Sequence, residues 1–315
     1  MKKKIILRLS NEIGNQMFMY ASAYSISKKM NRELFLDNET AFLSKKNISK
    51  FGLDNFRIST SISDDKFKFK TSLGYFKRKF LIKSDFLRSK KKFYLETKDK
   101  NKITNFDESF IDEHYDDVFH LEGHFESPKY FDIHEIDIKS EFRFNDESKY
   151  KDSSIFKEID NVNAVGFCIR QNRFNEGRGR NTPNNIKNSE TYSNEQINYI
   201  NKSAHLIKDK LPDAIFYLWS NDFKNLKKED LKFDFNIVDT SNFKDNFDLR
   251  AFNLFLLSSC KHFIVTPSTF NWWGAWLGKN HNKIVTRPSK DFFSLFKVNN
   301  NDFWPSDWIK INEKI

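Results

Sequence analysis

Short apolar runs and segments of helical periodicity alternate along this chain, and the alternation occurs twice. The first round passes from the apolar run KIILRLS through a polar loop, NEIGNQ, and a helical segment, MFMYASAYSISKKM, to a second apolar run, ELFLD. The second round contains the apolar runs NAVGFCIR, AIFYLWSND, FNIVD, KHFIVTP and NKIVTRP, with helical segments between them. Strands and helices in this order build parallel sheets covered by helices. The sequence therefore predicts an α/β protein in which a second, doubly wound sheet follows the first.

The length of 315 residues suits two domains of ordinary size. We place an N-terminal domain over residues 1–158 and a C-terminal domain over residues 159–290. We expect the remaining tail, 291–315, to pack back on them. Residues 135–159, acidic with interspersed Lys, are interpreted as the connection between the domains.

Two further segments carry predictions of their own. Residues 171–193 read as a long polar loop that precedes an amphipathic helix over 194–211, with His205 on or near its apolar face. Residues 66–102 interleave Phe with Lys and Arg, as in FKFK and FKRKF. One interpretation is a pair of amphipathic helices with solvated Lys faces. The other is a surface that docks on an anionic membrane.

The amino-acid composition limits the classes of protein to which this chain can belong. With 38% hydrophobic and 30% charged residues the chain is too polar to be a membrane protein and too apolar to be disordered. The net charge of +10 favours a polyanionic partner or simply solubility, but no nucleic-acid reader motif is present, and we expect no nucleic-acid binding. Cys168 and Cys260 form no disulfide framework. We find no signal peptide and no apolar run long enough for a transmembrane helix, so we expect a cytoplasmic protein.

Arg170 ends the apolar run AVGFCI, and a charged group at the end of a buried strand must find a partner or face a cleft. Its planar fork suits phosphate oxygens better than a Lys ammonium does. Arg173 and Arg178 follow in the same loop. The alternative is an ordinary surface loop rich in Arg, and this alternative is stronger for the later arginines than for Arg170.

The loop after the first strand holds a second group of candidates. Gly14 precedes a helix, where exposed backbone N–H groups can face an anion. The Asn15 and Gln16 amides can read sugar hydroxyls. Glu12 is the only acid of the loop and could act as a general base, although a solvated loop carboxylate needs no such explanation.

The segment TPSTFNWWGAW places Ser268 and Thr269 between a strand and a helix, where they either cap the helix or bind a ligand. Trp272, Trp273 and Trp276 are most simply core residues. No His and Cys residues have the spacing of a metal site, and we find no Walker loop, nucleophile elbow or dinucleotide fingerprint.

Together these segments resemble the α-1,2-fucosyltransferases of glycosyltransferase family 11. The family has a first loop with G-G-x-G-N-Q, an H-x-R-R-x-D motif and an S-S-F-S-W-W-G-A-W-like segment. The corresponding stretches here are NEIGNQMFMYA, CIRQNR and PSTFNWWGAWL. EGHFESPKYF and FYLWSND resemble two further family segments, and the resemblance spans residues 5–310.

The resemblance implies two Rossmann-like domains facing across a cleft, the GT-B type. It implies an inverting enzyme that moves fucose from GDP-fucose, a substrate rather than a cofactor, to a galactoside hydroxyl of a surface glycan without a metal ion. FYLWSND resembles the family's strand before a Ser-Asp-Asp turn, and this resemblance adds Asn221 and Asp222 to the donor-binding candidates. The EGHFESPKYF segment places His124 and Glu126 on the acceptor side, with Glu126 as an alternative base.

The chain departs from the family at the H-x-R-R-x-D motif. Only the first Arg remains, as Arg170; the His is Cys168, the second Arg is Gln171, and the Asp is Arg173. Arg173 or Arg178 could supply the missing positive charge. Two alternatives therefore stay open: a glycosyltransferase that uses another sugar nucleotide, and a catalytically inactive homologue that binds a glycan or a nucleotide.

Overall fold

The computed structural model describes residues 2–43, 49–99, 103–176, 179–224, 226, 228–295 and 299–313. The chain forms two compact units, Met1–Asn145 with Asn301–Phe303, and Asp146–Asn300 with Trp304–Ile315. The boundary thus lies before the predicted one at residue 158. The reason is packing within the second unit: the ring of Tyr150 contacts those of Phe252 and Phe255 at 5.1 and 5.2 Å between centroids.

The first unit is built around a four-stranded parallel sheet with the strand order β2-β1-β4-β3. Its elements are β1 (Lys4–Arg8), α1 (Ile13–Lys29), β2 (Glu33–Asp37), α2 (Ser72–Ser84), β3 (Lys91–Leu95), β4 (Tyr115–Glu122) and α3 (Glu135–Glu141). The central strand β1 buries Ile5, Ile6 and Leu7 completely. The apolar run that opens the sequence is therefore the core strand that it predicts.

Helix α1 begins earlier than expected. Its first residue is Ile13, so Gly14, Asn15 and Gln16 lie in the first helical turn and not in a polar loop. The carbonyl of Glu12 accepts the N–H groups of Asn15 and Gln16 at 3.0 and 3.1 Å, which closes this turn. The prediction of a loop over NEIGNQ was wrong for four of its six residues, 13–16.

The two intermediate stretches also differ from expectation. The described part of this range, residues 66–99, contains one α-helix, α2, followed by the strand β3, and not a pair of amphipathic helices; residues 100–102 lie outside the described ranges. Phe93 of β3 is buried and stacks on His120 at 4.9 Å, and this packing stabilises a strand here. The supposed connection over 135–159 is helical, with α3 and then α4 (Glu147–Lys151) and α5 (Ser154–Asp160).

The second unit holds a six-stranded parallel sheet with the order β10-β9-β8-β5-β6-β7. After α4 and α5 its elements are β5 (Ala164–Ile169), α6 (Pro183–Lys210), β6 (Ile215–Ser220), β7 (Phe235–Ile237), α7 (Leu249–Ser258), β8 (His262–Ile264), α8 (Thr269–Leu277), β9 (Val285–Pro288) and β10 (Ile309–Ile311). Counted from β5 along the chain and read from the β7 edge, this order is 3-2-1-4-5-6, that of a dinucleotide-binding sheet. The predicted doubly wound sheet is confirmed.

Helix α6 is longer than predicted. It begins at Pro183, and the Thr182 side chain caps it by accepting the N–H of Asn185, so the polar loop after β5 ends before this cap. His205 is exposed on this helix rather than near its buried face.

In the predicted tail, Asn301–Phe303 join the first unit, and β10 forms an edge of the second sheet.

Cys168 and Cys260 are both free, and burial raises the pKa of each thiol. No helix in the described ranges combines the length and apolar character needed to cross a membrane. The described residues also include no group of three or more His, Cys, Asp or Glu side chains that could hold a metal ion.

Candidate active site

The second sheet changes direction between β5 and β8. These strands are neighbours, the chain continues from β5 towards one edge and from β8 towards the other, and ligands of such sheets bind beyond the carboxyl ends of these two strands. The Thr266 hydroxyl donates to the carbonyl of Cys168 at 3.1 Å and ties the two strand ends together. Arg170 and the start of α8 both lie here, as the sequence predicts.

Arg170 is fixed at its backbone and paired at its side chain. The Gln196 amide accepts the N–H of Arg170 and donates to its carbonyl, both at 3.0 Å. Its guanidinium forms an ion pair with Glu176, and its side chain is 41% exposed. The Nε atom is buried and has no hydrogen-bond partner among the described residues. An unsatisfied guanidinium N–H at this edge is a donor that an anionic ligand can use.

Asn221 and Asp222 follow β6 and brace the Arg170 loop. Asn221 accepts the N–H of Gln171 at 2.8 Å, donates to its carbonyl at 3.1 Å and donates to Glu176 at 2.8 Å. Asp222 accepts from the side chain of Asn172, whose φ of 56° lies in the left-handed region. Through these contacts Asn221 and Asp222 hold the loop after β5 in place, and both side chains are used within the protein.

The residues that replace the family motif have different environments. Gln171 is buried and accepts from the Ser193 hydroxyl at 3.1 Å, so this amide is part of the core. Arg173 is half-buried, with its guanidinium over the Tyr192 ring at 5.8 Å. Arg178, the other candidate for the missing charge, lies outside the described residues.

Helix α8 begins at Thr269 with Ser268 at its N-cap position, but the Ser268 side chain makes no capping hydrogen bond. Capping by this hydroxyl, one of the two interpretations of the sequence, is therefore not observed. Asn271 is fully buried and donates to the Ile264 carbonyl at 3.1 Å, which fixes the turn between β8 and α8. The Trp residues of α8 are buried, as the sequence predicts.

Gln16 in the first unit is buried and uses both N–H groups of its amide within the protein. It is fully buried; its amide donates to the carbonyls of Asn11 and Lys50 at 2.7 and 2.8 Å and accepts the N–H of Gly52 at 3.0 Å. The prediction that it reads sugar hydroxyls is corrected to a structural role.

Glu12 is exposed and accepts from the Ser49 hydroxyl at 2.7 Å.

A hydrogen-bonded cluster forms where β1 and β4 end. Asn15 donates to the Glu126 carboxylate at 2.9 Å, Asn11 contacts Nε2 of His124 at 2.7 Å, and Nδ1 of His124 lies 3.6 Å from Glu126. Burial lowers the pKa of His124, an effect that the nearby Glu96 carboxylate partly opposes. The structure thus brings the predicted residues Asn15, His124 and Glu126 together.

Backbone strain accompanies this cluster. Asn11 and Phe125 have φ values of 62° and 50°, and Phe125 is fully buried. The Glu96 carboxylate accepts the N–H groups of His124 and Phe125, which holds the turn after β4 in its unusual conformation. A bulky residue in the left-handed region is costly and typical of functional turns.

Several residues of these sites were not predicted from the sequence. Glu176, Gln196 and Glu96 orient the predicted side chains and lie outside the quoted motifs, whereas Asn11 opens the quoted stretch NEIGNQ but was not among the candidates. The position of Asn11 within this stretch, and of Glu176 a few residues after CIRQNR, is the signal that the sequence offers for these two residues. Gln196 and Glu96 reach their partners through tertiary contacts that no local pattern encodes.

The family model described as glycosyl transferase family 11 matches residues 1–312. The O-antigen biosynthesis glycosyltransferase WbnK of Escherichia coli is 25% identical over 298 residues, which cover 90% of this chain and 93% of that protein. The alpha-1,2-colitosyltransferase of Escherichia coli is 24% identical over 322 residues, covering 98% and 99%. A mutant of Arabidopsis thaliana FUT1 in complex with GDP has a TM-score of 0.54 and 13% identity, over 92% of this chain and 72% of that one. The predicted α/β fold class of GT-B type is confirmed, and the chain belongs to glycosyltransferase family 11.

Proposed function

We propose that this glycosyltransferase inverts the configuration of its sugar and transfers fucose from GDP-fucose to a galactoside hydroxyl of a surface glycan, without a metal ion. The observation that carries the proposal is the direction change of the second sheet. The strands β5 and β8 are neighbours there, Arg170 follows β5, and the start of α8 follows β8. The match to family 11 and a relative named for O-antigen biosynthesis support a glycan acceptor. Two free cysteines suit a cytoplasmic location.

The donor diphosphate is assigned to Arg170 and the N-terminus of α8. The leaving diphosphate gains negative charge as the sugar departs, and a guanidinium with backbone N–H groups stabilises that charge. Ser268 and Thr269 present their hydroxyls at the same helix start. Arg173 adds a second positive charge in the loop after β5.

The acceptor side is assigned to the cluster at the end of β1 and β4. Glu126 is held by the Asn15 amide and lies beside His124, whereas Glu12 is exposed and contacts Ser49. A carboxylate whose position is fixed by neighbours is the better general base. We therefore favour Glu126 over Glu12 for this role.

The proposed reaction is a single displacement. The carboxylate takes the proton of the acceptor hydroxyl while the oxygen of that hydroxyl bonds to the anomeric carbon from the face opposite the diphosphate. The bond between that carbon and the diphosphate oxygen breaks, and the electron pair leaves with GDP.

Glu126→Gln should lower kcat with little change in KM, and Glu12→Gln should change neither strongly.

The deciding experiment is calorimetric titration with GDP, UDP and ADP in the presence of EDTA. We expect micromolar binding selective for GDP, weakened at least roughly tenfold in Arg170→Ala because a charged hydrogen bond is lost. Arg180→Ala, an exposed Arg at the end of the same loop, is the matched control. Unchanged GDP affinity in Arg170→Ala would refute the donor-site assignment.

A second candidate is transfer of another sugar, favoured by the similarity to a relative named as a colitosyltransferase. A panel of sugar nucleotides assayed for product distinguishes this function from fucosyl transfer. Saturable nucleotide binding without product from any donor would instead identify an inactive binding homologue.

A further inference from the structure

Helix α2 buries none of its side chains. Leu73, Phe76 and Phe80 are 79%, 65% and 69% exposed, and beyond the end of the helix Phe86 and Leu87 are 80% and 75% exposed. Large apolar side chains that lie together at the surface normally mark a place where something binds. This group, Leu73, Phe76, Phe80, Phe86 and Leu87, is called the α2 surface below.

The opposite side of α2 faces the protein. Arg78 donates from Nε to Glu122 at 2.9 Å, and a second guanidinium nitrogen pairs with the same carboxylate. Arg78 lies four residues after Gly74 and four before Ile82, a spacing that puts all three on one helix face. The half-buried state of these residues identifies that face as the inner one. Leu73, Phe76 and Phe80 share the outer face by the same periodicity.

Basic residues flank this outer stripe. At 100° per residue, Lys77 lies on one side of the stripe and Lys79 and Lys83 lie on the other. All three are exposed, and the helix contains no Asp or Glu. Among the ion pairs of the described residues none involves Lys77 or Lys83, and the Lys79 ammonium lies over the Tyr75 ring at 4.5 Å. The surface therefore combines apolar side chains with uncompensated positive charge.

We propose that the α2 surface docks on an anionic lipid bilayer. Phe76 and Phe80 insert at the headgroup level, and the lysines, whose flexible stems run along the apolar stripe, reach lipid phosphates. Charge complementarity selects an anionic lipid surface, because its phosphates lie beside an apolar layer in the same way as the three lysines lie beside the apolar stripe. This inference does not depend on the assignment of the donor diphosphate, since α2 belongs to the first unit and Arg170, Ser268 and Thr269 belong to the second.

The test is flotation of the full chain with vesicles of phosphatidylcholine alone or with one quarter phosphatidylglycerol. We expect binding only to the anionic vesicles, and we expect it to weaken as salt rises. Phe76→Ser with Phe80→Ser should reduce the bound fraction at least roughly tenfold, because the two aromatic rings that would move from water into the bilayer are lost. Lys77→Gln, Lys79→Gln and Lys83→Gln together should abolish the preference for anionic lipid.

The matched control is Ile136→Ser, which removes an apolar side chain that is 85% exposed on another helix of the same unit. It should bind vesicles like the unchanged protein. Thermal melting and GDP titration of every variant separate lost docking from lost folding and from failure of the donor site. A Trp introduced by Phe80→Trp should shift its fluorescence to shorter wavelength with anionic vesicles only.

Two results would overturn the proposal. One is equal binding to both kinds of vesicle, or binding that the Phe and Lys variants leave unchanged. The other is self-association in sedimentation velocity that the double Phe variant abolishes, since the α2 surface would then be an interface between two copies of the chain.

Discussion

The backbone position of Arg170 is fixed by Gln196, which lies on α6, because the N–H and the carbonyl of Arg170 both bond to the Gln196 amide. Gln196→Ala leaves these groups unsatisfied, and we expect it to lower the unfolding free energy of the second unit by about 1–3 kcal/mol. We also expect several-fold weaker GDP binding in calorimetry. Because the residue acts through Arg170, KM for the donor should change more than kcat. Wild-type donor affinity in this variant would contradict the role.

The Glu176 carboxylate places a negative charge next to the Arg170 guanidinium, the group assigned to the donor diphosphate. Glu176→Gln removes the repulsion between this carboxylate and a diphosphate while an amide oxygen can still accept from Asn221. We expect about threefold tighter GDP binding at low salt, and a smaller gain at high salt. Weaker binding would mean that Glu176 mainly orients Arg170.

His120 is predicted to make stability depend on pH. Burial between Phe69 and Phe93 lowers its pKa from 6.5 to about 4. Between pH 6.5 and 4 the unfolded chain therefore binds a proton that the folded chain does not, and the unfolding free energy falls as pH decreases, by on the order of 3 kcal/mol in full.

His120→Phe should flatten this decrease in urea unfolding measured from pH 7.5 to 4. Burial also lowers the pKa of His124 and His262, but these groups are present in both proteins and cancel in the comparison. Parallel curves for the two proteins would show that His120 titrates normally.

At the scale of elements, Leu257 of α7 packs against two glycines on different neighbours. A Cβ added to Gly166 of β5 would lie 2.7 Å from Leu257 Cδ1, and one added to Gly274 of α8 would lie 2.4 Å from Leu257 Cδ2. The absence of side chains at both positions lets strand and helix approach α7 closely. These two glycines therefore help to position the strand and the helix that carry the donor candidates.

We expect Gly274→Ala to destabilise the second unit by about 1–3 kcal/mol through overpacking. Leu257→Ala should cost about 2–5 kcal/mol through a cavity. In the double variant the clash disappears, so its loss should be smaller than the sum by at least about 1 kcal/mol in denaturant unfolding. Additive losses would show that the helix shifts away instead.

The sequence predicts strands better than it predicts where helices begin. Buried strands such as Lys4–Arg8 and Ala164–Ile169 are visible as apolar runs because both of their faces are covered. The start of α6 was missed although Thr182 and Pro183 form a recognisable cap, because polar residues after Pro183 resemble a loop. The strand β10 has only three residues, two of them exposed, and too little pattern to be seen.

The candidate site was predictable in position but not in its pairings. Arg170, Ser268 and Thr269 could be found because carboxyl ends of parallel strands gather at one edge of a sheet. The contacts of Arg170 with Glu176 and of Asn11 with His124 depend on side-chain directions in loops with left-handed residues, which local patterns do not specify. Gln16 illustrates the reverse case, because an amide typical of sugar sites is used within the core.

At the scale of the whole molecule, the first unit is discontinuous in sequence. Phe303 is 2% exposed and stacks on Phe18 of α1 at 5.9 Å between centroids. The Asp302 carboxylate accepts the N–H of Phe106 at 3.1 Å, and its carbonyl accepts the Ser127 hydroxyl at 2.6 Å. A segment near the carboxyl end of the chain thus completes the core that the amino-terminal residues begin.

Phe303→Ala should destabilise the first unit by about 3–5 kcal/mol. Hydrogen exchange of the α1 amides measures this loss for the unit itself. Phe86→Ala removes a ring that is 80% exposed and serves as control, with an expected change within about 0.5 kcal/mol. Equal exchange in both variants would contradict a structural role for Phe303.

The return of residues 301–303 to the first unit sets an order of events during synthesis on the ribosome. The first unit is the earlier part of the chain to be made, yet its last core residues are added only after almost the whole second unit. At roughly 5–20 residues per second, about 300 residues take roughly 15–60 s. During that time Phe18 has its contact with Phe131 but not yet its stacking contact with Phe303, so we expect the nascent first unit to stay incompletely packed while the second unit is being made.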